Sequence, residues 1–290
     1  MSSQNPSPAS RAATVLSAPV DQDPASVPTI GIIGGSGLYR LADDLEDVVV
    51  DTPFGAPSDA LTVGTVAGRR VAFLPRHGRR HQYPPHRINY RANLWALRAV
   101  GVRQVIAPCA VGGLRADLGA GTLVVPDQFV DRTSGRVQTF YDTAAVHVSS
   151  ADPYCPTGRS VVLGAARAAR WSPLDGGTLV VIEGPRFSTR AESRWFNANG
   201  WVVVGMTGHP EAVLARELAL CYTSVALVTD LDAGVEHGAG VTHGQVLEVF
   251  ARNVDRLRSL LLDVIPGIPP DRTCACPAAL DGIALPFDLP

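Results

Sequence analysis

The chain has 290 residues, 46% of them hydrophobic and 18% charged, and carries a formal net charge of −2. That length and composition suffice for one large domain or two small ones, and the charge balance offers no electrostatic grip on nucleic acid. All 25 basic residues are arginine, which excludes a lysine Schiff base or a phosphate-loop lysine as the chemical engine.

Residues 1–27 are rich in Ser, Pro and Ala. They lack the long apolar core of a signal peptide and read as a disordered tail. No apolar run is long enough for a membrane span, so the expected setting is the cytoplasm, with no membrane or nucleic-acid partner. From Pro28 onward, short Val- and Ile-rich runs recur: TIGIIGG, RRVAFLPRHG, RQVIAPCAVGG, GTLVVPD, GGTLVVIEGP, GWVVVGMTG and YTSVALVTD. Each has strand length, is bounded by Gly, Pro or Asp, and is apolar on both faces, as in central strands covered by helices. Helical stretches lie between some of them: INYRANLWALRAV, TRAESRWFNANG, EAVLARELALCY and THGQVLEVFARNVDRLRSLLLDVI. In the last, Val246, Val249, Phe250, Val254, Leu257 and Leu261 recur at helical spacing. Alternation of strand and helix makes the class α/β. With no repeat or composition break inside 28–265, a single domain is expected there. Residues 266–290 form an extension too rich in Pro to be helical.

Five cysteines occur, Cys109, Cys155, Cys221, Cys274 and Cys276. The odd number and irregular spacing show no disulfide framework, which suits a reducing compartment. Cys274 and Cys276 form a CxC that would need a second cluster to hold zinc. No second CxxC or HxxxH is present, so no metal is expected.

The chemistry is sought at the strand ends, where parallel sheets bind ligands. The first strand runs into Gly34-Gly35-Ser36-Gly37. A dinucleotide fingerprint would need a third glycine where Arg40 stands. Ser36 supplies a hydroxyl suited to one anion oxygen, and bare backbone N–H groups can approach a small anion. After VAFLP come Arg76 and His77, a planar fork and a second donor that suit phosphate or carboxylate, or else a solvated Arg-rich turn. After QVIAP come Cys109 and Ala110, where a buried inert thiol is the plainer reading of the cysteine. After LVVIEGP come Phe187, which can stack on a flat ligand or join the core, and Ser188. After VVVG come Met206 and Thr207. After VALVT come Asp230 and Asp232, whose i, i+2 spacing turns both carboxylates to one side of an extended segment. Like charges at close range raise one pKa, which suits proton donation and hydrogen bonding to a heterocycle. Asp232 capping a turn before Gly234 is the alternative. No activated nucleophile accompanies the pair, and an attacking phosphate would supply one.

Together with DTPFGAPSDAL, PRHGRRHQYPPHRINYRANLWAL, DQFVDRTSGR, ADPYCP, IEGPRFSTRAES, MTGHPEAVLARE and VTDLDAG, these stretches resemble the methylthioadenosine phosphorylases, a branch of the trimeric purine nucleoside phosphorylases. The resemblance runs from about Ile30 to Ile265. It implies a phosphorylase/hydrolase-like fold with a central mixed β-sheet flanked by helices, and a homotrimer with active sites near the subunit interfaces. It implies phosphate-dependent cleavage of the N-glycosidic bond of methylthioadenosine, giving adenine and 5-methylthioribose 1-phosphate. Phosphate is then a co-substrate, and no cofactor is required. The resemblance assigns Ser36, Arg76, His77, Cys109, Ala110 and Thr207 to the phosphate, Met206 to the ribose, Phe187 to base stacking, and Asp230 and Asp232 to the purine, with Asp230 the proton donor. His147 would reach across the trimer interface to the 5′ end of a neighbour's nucleoside. Ser188, His243 and Val246 are further specificity positions.

Two positions depart from the family pattern. Cys109 stands where threonine is frequent, and a thiol is a poor donor to phosphate. His243 stands where a small apolar residue is usual. It would either admit 5′-polar or 5′-halogenated adenosines or simply sit with Thr242 at the start of the last helix, while Val246 and Leu247 still offer an apolar wall. The acidic pair favours a 6-amino purine, because a carboxylate accepts from an exocyclic amine and repels a 6-oxo group. A broader purine nucleoside phosphorylase is the alternative activity. A nicotinamide-dependent oxidoreductase, a water-using nucleosidase and a non-catalytic binding protein are the rivals from other classes.

Overall fold

The computed structural model describes residues 14–16, 29–35, 37–42, 44–233, 235 and 243–290. The strands are β1 (Thr14–Leu16), β2 (Ile30–Gly34), β3 (Glu46–Val50), β4 (Leu61–Val66), β5 (Arg69–Pro75), β6 (Gln104–Gly113), β7 (Leu123–Val125), β8 (Gln128–Arg132), β9 (Leu174–Asp175), β10 (Thr178–Ile182), β11 (Val203–Gly205) and β12 (Cys221–Leu231). The helices are α1 (Tyr90–Ala99), α2 (Pro156–Ala168), α3 (Arg190–Ala198), α4 (Gly208–Glu217) and α5 (His243–Gly267). All seven apolar runs become strands, and they join one mixed sheet in the order β1-β3-β4-β5-β2-β6-β11-β10-β8, with β12 beside β6 and β7.

Alternation along the central strands divides the core between the two faces. Ile33, Ala72, Leu74, Val105, Ala107 and Tyr222 pack with α1 and α4 on one face. Ile30, Ile32, Val71, Phe73, Ile106, Val225 and Leu227 pack with α2 and the C-terminal half of α5 on the other. Helix α5 buries Leu257, Leu260, Leu261, Val264 and Ile265 completely. Helix α1 is capped by Asn89, whose side chain accepts from the N–H of Ala92. Helix α3 opens with a reciprocal capping box between Thr189 and Glu192.

Strand β6 organises the site. One edge pairs with β12 along its whole length. The other edge pairs with β2 only from Gln104 to Ile106, and with β11, in the opposite sense, only at Gly112 and Gly113. Between those partners the strands splay, and residues Cys109, Ala110 and Val111 line a cavity there. This is a switch point in strand order, the place where α/β sheets bind ligands.

Three expectations are corrected. The N-terminal tail is not wholly irregular: Thr14–Leu16 pair in parallel with Val48–Val50, extending the sheet at its edge. The C-terminal extension is not free of helix: α5 continues to Gly267, and a 3-10 turn forms at Pro277–Leu280. Proline at the first turn position costs nothing there, and Leu285, Phe287 and Leu289 hold the segment against the core beside α1. Helix α2 lacks a counterpart among the helices expected from the sequence, although it starts with Pro behind its Cys155 N-cap and buries Val162, Leu163 and Ala166.

Candidate active site

The cavity at the β6 switch point has a volume of about 270 Å³. Ten of the residues singled out in the sequence line it: Arg76, His77, Cys109, Ala110, Phe187, Ser188, Met206, Thr207, Asp230 and Asp232. They come from the ends of β5, β6, β10, β11 and β12, so one face of the sheet gathers what the sequence disperses over more than half its length. Ser36 lies outside the described residues, as do the side chains of His243 and Val246. His147 is exposed and does not line the cavity of its own chain.

At one end Arg76 is almost wholly buried. Its Nε and Nη2 each donate to Glu211 at 2.8 Å, and its Nη1 donates to the carbonyl of Pro108 at 3.0 Å. Burial alone would lower its pKa, but the Glu211 carboxylate outweighs burial and holds the guanidinium charged. The fork anticipated for an anion is therefore occupied by Glu211, a partner 135 residues away in sequence. What Arg76 offers the cavity is its charge and its Nη1 edge. A Cβ on Gly35 would crowd this corner, standing 3.0 Å from the Pro108 carbonyl and 3.2 Å from Nη1. Glu211 also accepts from the hydroxyl of Tyr222 at 2.7 Å.

His77 Nδ1 lies 2.8 Å from the Tyr83 carbonyl. A carbonyl only accepts, so Nδ1 carries the hydrogen, and in the neutral ring Nε2 is an acceptor. Burial first, and then the neighbouring Arg76 and His81 charges, push its pKa down to about 3 against the Tyr83 bond. Thr207 precedes α4 and makes no capping bond, so its hydroxyl is not consumed by the helix. The Cys109 thiol is pushed up by burial and sits 3.7 Å from the Ser224 hydroxyl, the state of an inert thiol.

At the other end the two carboxylates converge as the i, i+2 spacing requires. A bulge between Val228 and Asp230 shifts the register of β12, so that Asp230 stands opposite Gly112. Asp230 Oδ2 accepts from the Thr229 hydroxyl at 2.8 Å. Burial and then the nearby Asp232 raise its pKa to about 6, against the lowering effect of Thr229. Asp232 is also raised by burial, which the hydroxyls of Ser193 and Ser188 partly counter. Its Oδ2 is buried without a hydrogen-bond partner, as a group awaiting a ligand donor would be.

Arg136 is a residue the sequence reading passed over. It is nearly buried and donates to the carbonyls of Ile182, Glu183, Met206 and His209. One guanidinium thus ties the end of β10 to the Met206–His209 turn and fixes the wall between Phe187 and Met206. Only its place in the stretch TSGR could have marked it.

A family model described as the phosphorylase superfamily matches residues 29–266. The chain is 65% identical over 272 residues to a purine nucleoside phosphorylase of Streptomyces coelicolor, covering 89% of this chain and 97% of that one. It is 55% identical over 262 residues to an S-methyl-5′-thioadenosine phosphorylase of Mycolicibacterium smegmatis, covering 90% and 99%. Among solved structures it superimposes on a methylthioadenosine phosphorylase from Schistosoma mansoni in complex with adenine, with a TM-score of 0.80 and 39% identity, covering 84% of this chain and 93% of that one. This chain belongs to the phosphorylase superfamily. Within it, the relatives it resembles are nucleoside phosphorylases, which are pentosyltransferases.

Proposed function

We propose that the protein is a methylthioadenosine phosphorylase, cleaving the N-glycosidic bond of S-methyl-5′-thioadenosine with inorganic phosphate to give adenine and 5-methylthioribose 1-phosphate. One observation carries this reading. The cavity has a cationic end at Arg76, beside the Thr207 hydroxyl and the acceptor Nε2 of His77, an acidic end at Asp230 and Asp232 whose carboxyls burial holds above the usual range, and only an inert thiol between them. A group that attacks must therefore be brought in, and phosphate fits the cationic end.

Phosphate sits among the Arg76 charge, the Thr207 hydroxyl and the backbone N–H groups near Gly35 and Ala110. His77 Nε2 accepts a hydrogen bond from the remaining O–H of hydrogen phosphate, which keeps its proton. Ser36 completes this set, and Cys109 contributes through its backbone. Ribose rests on Met206, and the purine stacks on Phe187. As the C1′–N9 bond breaks, positive charge grows on the ribose and the adjacent phosphate dianion stabilises it, an electrostatic effect prepared before the reaction begins. The bond's electron pair passes to the purine, and the Asp230 carboxyl gives its proton toward N7. Asp232 accepts from the 6-amino group with its unpartnered Oδ2. Holding both substrates together removes the entropy of their encounter.

The active unit is a homotrimer in which His147, on its exposed loop, covers the 5′ end of a neighbour's nucleoside, while Ser188, His243 and Val246 tune the 5′ pocket. The catalytic domain spans 28–265 and works in the cytoplasm without an organic cofactor. Among the described residues no helix is long and apolar enough to cross a membrane. The 65% identity to a purine nucleoside phosphorylase supports a second reading, a broader purine nucleoside phosphorylase.

The test is release of free base from methylthioadenosine, adenosine, inosine and methylthioinosine, each with and without phosphate. Strict phosphate dependence with methylthioadenosine fastest is expected. Adenosine or a 6-oxo nucleoside fastest selects the second reading, and cleavage without phosphate defeats both.

A further inference from the structure

Away from the cavity, the fold collects four of the five cysteines. Cys155 is the N-cap of α2, Cys221 is the first residue of β12, and Cys274 and Cys276 lie on the bent segment that follows α5. Their four Sγ atoms all lie within 4.8 Å of one another. Three of the thiols are buried, and Cys274 is half-buried. The CxC that lacked a partner in the sequence meets its second pair only through folding, since Cys155 and Cys221 are separated by 66 positions.

We propose that Cys155, Cys221, Cys274 and Cys276 form a tetrathiolate site for a thiophilic divalent cation, zinc in the first instance, that fastens the C-terminal segment to the base of β12.

The spacing favours a shared ion over two disulfides. Zinc bonded to four thiolates at about 2.3 Å sets the sulfurs roughly 3.8 Å apart. Cys155 lies 3.6 Å and Cys221 3.4 Å from Cys274, whereas bonded sulfurs stand only about 2.05 Å apart. All four sulfurs also gather within 4.8 Å of one another, and Cys274 lies close to both Cys155 and Cys221 at once, where two separate disulfides would only need closeness in pairs. The donor set is that of structural zinc, closed to water and burying its ligands.

The surroundings suit a negatively charged metal–thiolate centre. The Gly158 N–H donates to Cys155 Sγ at 3.5 Å, and the N-terminal end of α2 points at that sulfur. Such N–H···S bonds orient ligands and ease thiolate formation. At the same end of β12, Arg98, Arg103 and Arg272 crowd together and donate to backbone carbonyls.

The role is mechanical. β12 begins at Cys221 and ends at the acidic pair, so the ion holds the strand's far end while leaving the cavity untouched.

The full-length protein, purified without chelator in reducing buffer, should contain about one zinc per chain, released stoichiometrically by an organomercurial that titrates the thiols. Replacement with cobalt(II) should produce the visible bands of tetrahedral tetrathiolate cobalt. Cys274→Ser and Cys276→Ser should each lose the metal and unfold at lower temperature, with room-temperature phosphorolysis unchanged. If the reduced wild-type protein takes up neither zinc nor cobalt, or if peptide mapping shows these cysteines joined as disulfides in the reduced, metal-supplemented protein, the proposal is overturned. The cobalt spectrum is read on the wild type, so a variant that fails to fold does not leave the matter open.

Discussion

Gly112 and Asp230 stand opposite each other across β6 and β12, and a Cβ on Gly112 would lie 3.2 Å from Oδ1 of Asp230 and 3.4 Å from the Cβ of Asp232. The acidic pair therefore converges over a strand position where a side chain would crowd it. Val204 closes the third side at 3.1 Å. Gly112→Ala should displace the Asp230 carboxyl by a few tenths of an ångström and leave the fold intact. Misplacement of an acid by this amount is expected to lower kcat/KM by about tenfold, or ~1.4 kcal/mol of transition-state stabilisation. Steady-state kinetics alongside a thermal unfolding curve would separate the two effects. An unchanged kcat/KM would remove Gly112 from the argument.

Asp230 ties activity and stability to pH in opposite ways. As the proton donor it is active while protonated, so kcat/KM should fall as pH rises through about 6 in the free enzyme. For stability, a carboxyl raised from 3.8 to about 6 by folding binds its proton more tightly in the native state. Its contribution favours the fold below that range and is lost as pH rises from about 4 to 6, leaving a cost of up to about 3 kcal/mol at neutral pH. Asp230→Asn should consequently raise the unfolding midpoint at pH 7.5 but not at pH 4. It should also reduce kcat/KM by roughly 10²- to 10⁴-fold and flatten the alkaline limb near pH 6. A midpoint that falls at pH 7.5 would contradict this account.

How much of this was visible in the sequence depends on distance along the chain. The seven apolar runs became strands because burial on both faces leaves a continuous Val/Ile signature. The pair at Asp230 and Asp232 was legible because i, i+2 geometry is local. The partnership of Arg76 with Glu211 was not, because nothing near either residue in sequence announces the other. The cysteine cluster was hidden for the same reason: its members come from a helix cap, a strand start and a C-terminal segment, so no spacing rule applies. Nor does sequence reveal that β6 changes partner from β2 to β11, and that change makes the cavity. Arg136 is illegible in another way, since most of its partners are backbone carbonyls, which leave no trace in residue identity, and its one carboxylate partner, Glu183, lies 47 residues away.

The Arg76–Glu211 pair predicts a separation of stability from anion binding. Removing one member of a buried pair leaves the other charge uncompensated and costs about 3–5 kcal/mol. Glu211→Gln should therefore unfold at a markedly lower temperature. The folded fraction, however, presents a less neutralised guanidinium to the cavity, so added phosphate should restore more of the midpoint in the variant than in wild type. Thermal shift measured across a phosphate series reads both effects. Equal phosphate-induced shifts in the two proteins would mean that Arg76 serves the fold alone.

Asp232 should decide the base. Its buried Oδ2 lacks a partner and can only accept while ionised, which matches the amine of a 6-amino purine. Asparagine at this position can present an N–H₂ to a 6-oxo group instead. Sites built around one such hydrogen bond discriminate strongly, because the wrong partner leaves a buried polar group unpaired. Asp232→Asn is expected to shift the ratio of kcat/KM for adenosine over inosine by roughly a hundredfold toward inosine, with the phosphate KM unchanged. Both nucleosides share the ribose and its hydroxyls, so the ratio isolates the base and cancels any general loss of activity. A variant that weakens both substrates equally would show that Asp232 positions Ser188 and Ser193 rather than reading the purine.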